Sequence, residues 1–229
     1  MLCKERLLGF FRYGDDNMAT ITAIVPHPRR PGRFAVAIDG CDAATVGIDG
    51  IERLALRVGA EVTARQAAGL ADETGAVAVY DKAVQLLAGR GYAVAELSRR
   101  LVRGGAEPRY AAIAIERLVA NGALDDAEYA RSLTRSRVRS RGASARRVKQ
   151  ELSRHGVAAD VAAEAVEAVF VEEEVDETAV VEQLARRRAE TMRGLDPVVR
   201  RRRLYAYLAR RGYDADDVRR AVEGVIEAS

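Results

Sequence analysis

The sequence predicts a mainly α-helical protein: three tandem three-helix repeats in an elongated curved array, preceded by a small α+β hairpin module. Three observations carry that expectation. Period-two alternation of β-forming residues is confined to the first fifty or so positions. After Val79 there is no convincing strand, only helical stretches broken by glycine turns. A Leu-x-Arg-x-Gly pattern then returns three times: at Leu101–Gly105, Leu152–Gly156 and Leu208–Gly212. Its spacing is 51 and then 56 residues, and Ala114-Ile115, Ala165-Val166 and Ala221-Val222 come at matching offsets.

Residues 1–17, MLCKERLLGFFRYGDDN, do not resemble the segment after Met18. Their apolar residues are broken by Gly9 and Arg12, too soon for a signal peptide. They read as a disordered tail or a misassigned start with Met18 as initiator; a partner-binding amphipathic peptide is the alternative. From Thr20, Ile21, Ala23 and Val25 alternate with Thr20, Thr22 and Ile24 up to Pro26. After the Arg29–Gly32 turn, Arg33–Ile38 forms a second run, so the two read as a hairpin. A weak third strand is expected over Ala44–Ile48. Asp49 is then expected to cap a short helix carrying Ile51, Leu54 and Val58, and the module to end near Gly75. The domains expected are 18–78, 79–124, 125–173 and 174–229.

In the helical part, Pro108 and Pro197 sit where they can open helices. Helices of the middle repeat are expected near 126–140, 144–155 and 158–170. Val148 and Leu152 share one helical face, and Val161, Ala165, Val166 and Val169 share the next. Gly156 between them suits the left-handed turn that ends a helix. Small repeats of this kind bury little surface alone, so neighbours are expected to share surface.

Composition narrows the function. The 229 residues include two cysteines and two histidines, too few for a disulfide scaffold or a Cys/His zinc site. No stretch approaches the roughly 20 apolar residues that cross a bilayer, so a soluble, cytoplasmic protein is expected, with no membrane contact. No phosphate-binding glycine loop, Ser-His-Asp arrangement or HExxH motif occurs. His155 reads as a helix-end cation or an exposed side chain, and Asp125-Asp126 as helix capping rather than a metal pair. No enzyme, no cofactor and no metal site are expected.

Charge is distributed unevenly. Between Tyr129 and Gln150 there is no acidic residue, against eight basic ones: Arg131, Arg135, Arg137, Arg139, Arg141, Arg146, Arg147 and Lys149. Arg131, Arg135 and Arg139 fall four apart, a stripe along one helix. That stripe reads either as a surface for phosphates or a partner's carboxylates, or as a solvated face relieved by acids from another helix. The third repeat adds Arg186–Arg188, Arg193, Arg200–Arg203, Arg210 and Arg211. Its tyrosines sit mostly at core spacings, so base stacking is a weaker case than backbone or protein electrostatics. The binding candidates are Arg131, Arg135, Arg139, Arg141, Arg146, Arg147, Lys149, Arg201, Arg210 and Arg211.

Leu124-Asp125-Asp126-x-x-Tyr129-Ala130, followed by Arg141-Gly142-x-x-x-Arg146-Arg147-Val148-x-x-Glu151-Leu152-x-x-x-Gly156-Val157, resembles the signature of the RecX family. The first and third repeats agree, through Ala83-x-x-Leu86-Leu87-x-x-Arg90, Glu96-Leu97-x-x-x-Leu101 and Leu208-x-Arg210-Arg211-Gly212-Tyr213. The resemblance covers about residues 79–227. It implies a non-enzymatic inhibitor or modulator of the bacterial RecA recombinase, bound along the groove of the RecA filament on single-stranded DNA. A monomer is expected, with single-stranded DNA as a further partner. One departure is Ala93, where the family usually has a capping Ser or Thr, at a cost of about 1 kcal/mol. A helical-repeat DNA-binding protein acting without RecA, and a helical scaffold for another partner, are the rival readings.

Overall fold

A computed structural model describes residues 19–227, apart from the side chain of Arg141. The expectations for residues 1–17 lie outside the described residues. Three strands, β1 (Ile21–Pro26), β2 (Arg33–Ile38) and β3 (Cys41–Gly47), pair antiparallel in sequence order. Ten helices come after them among the described residues: α1 (Ile48–Arg53), α2 (Ala64–Gly89), α3 (Val94–Arg103), α4 (Pro108–Ala120), α5 (Asp126–Arg141), α6 (Ala145–His155), α7 (Ala159–Glu172), α8 (Glu177–Glu190), α9 (Pro197–Ala209) and α10 (Ala215–Glu227).

The hairpin forms, but three details of its reading are corrected. A bulge between Ile21 and Ala23 shifts the β1 register. Beyond it Ile24 packs on the core while Val25 is half exposed, since one extra residue flips the faces of the rest of the strand. The third strand starts at Cys41 and ends at Gly47, leaving Ile48 to begin α1. Gly47, not Asp49, is the N-cap of α1; Asp49 lies in its first turn, and Val58 lies outside the helix and exposed. Ile21, Val36, Val46 and Leu70 are the fully buried centre of this module.

No break occurs at Gly75. Helix α2 runs through it from a capping box in which the Thr63 side chain accepts from the Gln66 N–H and the Gln66 side chain accepts from the Thr63 N–H. A Cβ on Gly75 would lie 2.4 Å from the Tyr110 ring, so glycine is what lets α2 and α4 approach closely. Beside that contact Glu73, 2% exposed, takes two hydrogen bonds from the Arg117 guanidinium at 2.9 and 2.6 Å and another from Arg53.

The chain divides into two compact units. One runs to Arg90 and includes Ser98–Asn121; the other holds Gly91–Leu97 and everything from Gly122. In the second, the middle repeat is α5–α7, within two residues of its expected bounds, around Val148, Leu152, Ala165 and Val166. Gly156 ends α6 at φ 96°, as its position predicts. Helices α8–α10 enclose a further core of Val181, Ala185, Leu204, Leu208 and Val222. Pro108 and Pro197 open α4 and α9.

The cap missing at Ala93 is supplied from elsewhere. Ala93 is fully buried in the middle core, and the Val94 N–H donates to the Asp126 carboxylate at 2.8 Å. Asp125 meanwhile caps its own helix, accepting from the Ala127 and Glu128 N–H groups. The next junction repeats the device 51 residues on. Asp176 caps α8 through Thr178 and Ala179, and Glu177 takes the Ala145 N–H at 3.0 Å, at the start of α6. Each acidic pair thus closes its own helix and the second helix of the preceding repeat. Replacing Asp126 with Ala removes that cap and costs about 1 kcal/mol, with faster exchange of the Val94 amide as the local signature. Unchanged exchange at Val94 contradicts the assignment.

Candidate partner-binding surface

The arginine stripe on α5 is partly relieved by α7. Arg135 donates to Glu172 at 2.8 Å and Arg139 to Glu173 at 2.6 Å. The hydrogen bond from Arg139 holds the Glu173 carboxyl below its usual range. Arg137, off the stripe, forms a two-pronged pair with Glu151 of α6. Arg131 is partly buried, and its Nε is enclosed without a hydrogen-bond partner. Arg141 is the last residue of α5. These acids stand about 10 to 40 residues further along the chain, so only the fold of the repeat brings them onto the basic run.

Helices α6 and α9 present a different surface. Arg146, Arg147, Gln150, Tyr205, Arg210 and Tyr213 line an open cleft of about 510 Å³, with no Asp or Glu among its described lining residues. Lys149 lies on a neighbouring depression that shares Arg146 and Gln150. Arg146, Lys149 and Arg210 are exposed or partly so, and Arg147 packs against the turn at Gly212. Arg201 and Arg211 are engaged otherwise. Arg201 lies over the Tyr205 ring and 3.5 Å from Glu223, and Arg211 lies 4.7 Å from the Tyr207 ring, with Arg188 5.4 Å from the same ring.

Hydrogen bonds tie the walls of the cleft together. The Ser144 hydroxyl donates to the Arg211 carbonyl at 3.1 Å and accepts from the Arg147 N–H, bridging α6 to the turn after α9. Burial, with the Glu177 carboxylate nearby, pushes the Tyr213 phenol up to about 12, so it stays protonated and donates to the Gly142 carbonyl at 2.7 Å. Tyr92 and Tyr213 are buried, and Tyr110, Tyr129, Tyr205 and Tyr207 are at the surface to differing degrees.

His155 is neither a simple helix-end cation nor exposed. Its Nδ1 lies 3.0 Å from the Glu96 carboxylate, and its ring meets Tyr129 edge-on at 5.8 Å. Reading the sequence missed this pair, as it missed the reach of Asp126 and Glu177 to neighbouring helices. The signal that finds the two acidic caps is the repeat offset applied to the polar positions: Asp125-Asp126 and Asp176-Glu177 are 51 residues apart, the same interval as the glycines. No group of three or more metal-ligating side chains occurs among the described residues, and no described helix is long and apolar enough to cross a membrane.

Comparison with known proteins identifies two of these three-helix units. Residues 125–166 match the second three-helix domain of RecX, and residues 174–222 the third. The chain is 38% identical over 165 residues to the regulatory protein RecX of Halorhodospira halophila, across 70% of this chain and 93% of that one. It is 36% identical over 146 residues to the regulatory protein RecX of Xanthomonas campestris pv. campestris, across 64% and 86% of the two. A crystal structure of a regulatory protein RecX shares the fold at TM-score 0.73 and 18% identity, covering 93% of this chain and 100% of the other.

Proposed function

The chain belongs to the RecX family of regulatory proteins, and on that premise we propose that it regulates the RecA recombinase. It binds the RecA filament on single-stranded DNA and limits filament assembly, ATP hydrolysis and strand exchange in DNA repair and recombination. The observation that carries this reading is the match across 93% of the Halorhodospira protein, with two three-helix domains recognised in order. It acts by binding, as a cytoplasmic monomer, without catalysis and without a cofactor.

The repeats supply a physical means. Tandem modules can engage successive protomers of a filament, and linked contacts gain affinity through effective concentration. Arg146, Arg147, Lys149 and Arg210 meet the filament directly in this account, with Arg131, Arg201 and Arg211 beside them. Arg135 and Arg139 exchange Glu172 and Glu173 for groups on the partner. Arg141 ends the same helix. A DNA-binding protein acting without RecA is the second reading, favoured by the arginines that line the cleft.

Co-sedimentation with RecA filaments assembled on single-stranded DNA tests the proposal. The chain is expected to pellet with the filaments. A variant reversed in charge at Arg131, Arg135, Arg139, Arg146 and Arg147 is expected to stay in the supernatant with its helicity unchanged. Full pelleting of that folded variant contradicts the assigned surface, and no pelleting of the unaltered chain contradicts the partner.

A further inference from the structure

Helix α10 holds a glycine that its packing does not require. Gly224 lies inside the helix, where glycine is a poor helix former, and a Cβ built on it would meet no atom within 4 Å. The corresponding position of the middle repeat, 56 residues earlier, is Ala168. What the bare Gly224 does is leave open a pocket of about 240 Å³, which it lines together with Arg186, Ala189, Glu190, Arg193 and Arg200.

Arg200 sets this pocket apart from a solvated basic face. It is partly buried, its Nε is enclosed without a hydrogen-bond partner, and it has no ion pair among the described residues. An enclosed N–H without an acceptor is costly, so an acceptor brought from outside is favoured there. Arg186 and Arg193 stand 3.2 Å from Glu182 and 3.8 Å from Glu190, but both stay largely exposed and can turn toward a ligand. Among the described lining residues the one acid is that Glu190. Three guanidiniums against one carboxylate leave the pocket positive.

Size and donor geometry narrow the anion. The volume lies below the roughly 300–1,000 Å³ of pockets that take drug-sized ligands, so a compact ion fits and the bulk of anything larger stays outside. Each guanidinium presents a planar fork that matches two oxygens of a phosphate. Three forks exceed what a single carboxylate can accept, whereas two linked phosphates offer oxygens at two centres.

We propose that the pocket between α8, α9 and α10 binds a diphosphate group, as free inorganic pyrophosphate or as the tail of a nucleoside diphosphate. The site goes beyond the regulatory reading above and does not depend on it. The test is isothermal titration calorimetry of the full chain with sodium pyrophosphate at fixed ionic strength, without RecA or DNA. Saturable binding of one pyrophosphate per chain is expected.

Gly224→Leu fills the pocket without changing any charge. It is expected to weaken binding at least tenfold with an unchanged or higher melting temperature, and Arg200→Gln to weaken it as much. Replacing Arg57 and Arg65, exposed in the N-terminal unit, together with Gln removes more charge and is expected to change affinity less than threefold. No binding by the unaltered chain overturns the site. So does full affinity in the folded Gly224→Leu chain, or a loss in the Arg57/Arg65 variant equal to that in the Arg200 variant. Sulfate, with a single centre, is expected to compete at least tenfold more weakly than pyrophosphate, and equal competition overturns the diphosphate assignment. Displacement by oligothymidine at equal phosphate concentration overturns it too, since the pocket would then be part of a nucleic-acid surface. ADP binding at least as tightly as pyrophosphate identifies the nucleotide tail as the ligand, and weaker ADP binding identifies the free ion; both uphold the site.

Discussion

Replacing Glu73 with Ala lowers the stability of the N-terminal unit by about 2–3 kcal/mol at neutral pH. Removing one partner of a buried ion pair costs more than the pair contributes, because the remaining charge is left uncompensated. The figure stays below the fully buried case because the side chains of Arg117 and Arg53 are 25% and 55% exposed, and water screens what remains. Burial pushes the Glu73 carboxyl up, but Arg117 and Arg53 outweigh it and hold the group below its usual range. A lowered pKa fixes the sign of the pH dependence. The contribution is complete above the unfolded carboxyl's value near roughly 4.3 and is lost as pH falls through the lower folded value. Urea titrations at about pH 7 and about pH 3 check it. The gap between the unaltered chain and the variant should narrow in acid; a gap of the same size at both pH values would mean that packing against Gly50, not charge, sets the effect.

Replacing Gly212 with Val costs about 3 kcal/mol or more and loosens the third three-helix domain from the second. Two effects add. The backbone there has φ 85°, a left-handed conformation that costs an L-residue roughly 1–2 kcal/mol. A Cβ would also sit 2.8 Å from both the Arg147 Cβ and the Ser144 Oγ and 3.2 Å from the Arg147 Cα, an overpacking worth about 1–3 kcal/mol. Ser144 cannot yield cheaply, because its hydroxyl bridges the Arg211 carbonyl and the Arg147 N–H. Limited proteolysis should cut α8–α10 first and leave α5–α7 intact for longer, while Gly212→Ala shows a smaller effect in the same direction. Unchanged proteolysis and melting in the valine variant would contradict the packing described for this turn.

Local signals made the helical part legible. Helix bounds in the middle repeat come from the apolar faces at Val148, Leu152, Ala165 and Val166 and from Gly156, each of which acts within a turn or two of itself. The N-terminal module was less so, because the bulge after Ile21 changes which residues face inward without leaving a mark in the composition. Helix α2 was hidden by its own evenness: buried Ala67, Ala76 and Ala83 give little contrast, and Gly75 imitates a break while serving the Tyr110 contact. The site divides the same way. That arginines cluster is visible in the chain, but which of them are neutralised depends on Glu172 and Glu173 arriving from another helix. That His155 meets Glu96 depends likewise on a helix 59 residues away in the chain.

The central claim is action on RecA at the level of the filament. Single-stranded-DNA-dependent ATP hydrolysis by the cognate RecA, with the chain titrated in well below the RecA concentration, tests it most directly. Strong inhibition at a small molar ratio is the expected result, since one bound molecule then affects many protomers. Inhibition that begins only when the chain is abundant enough to coat the DNA would contradict the claim and favour a DNA-binding protein that acts without RecA.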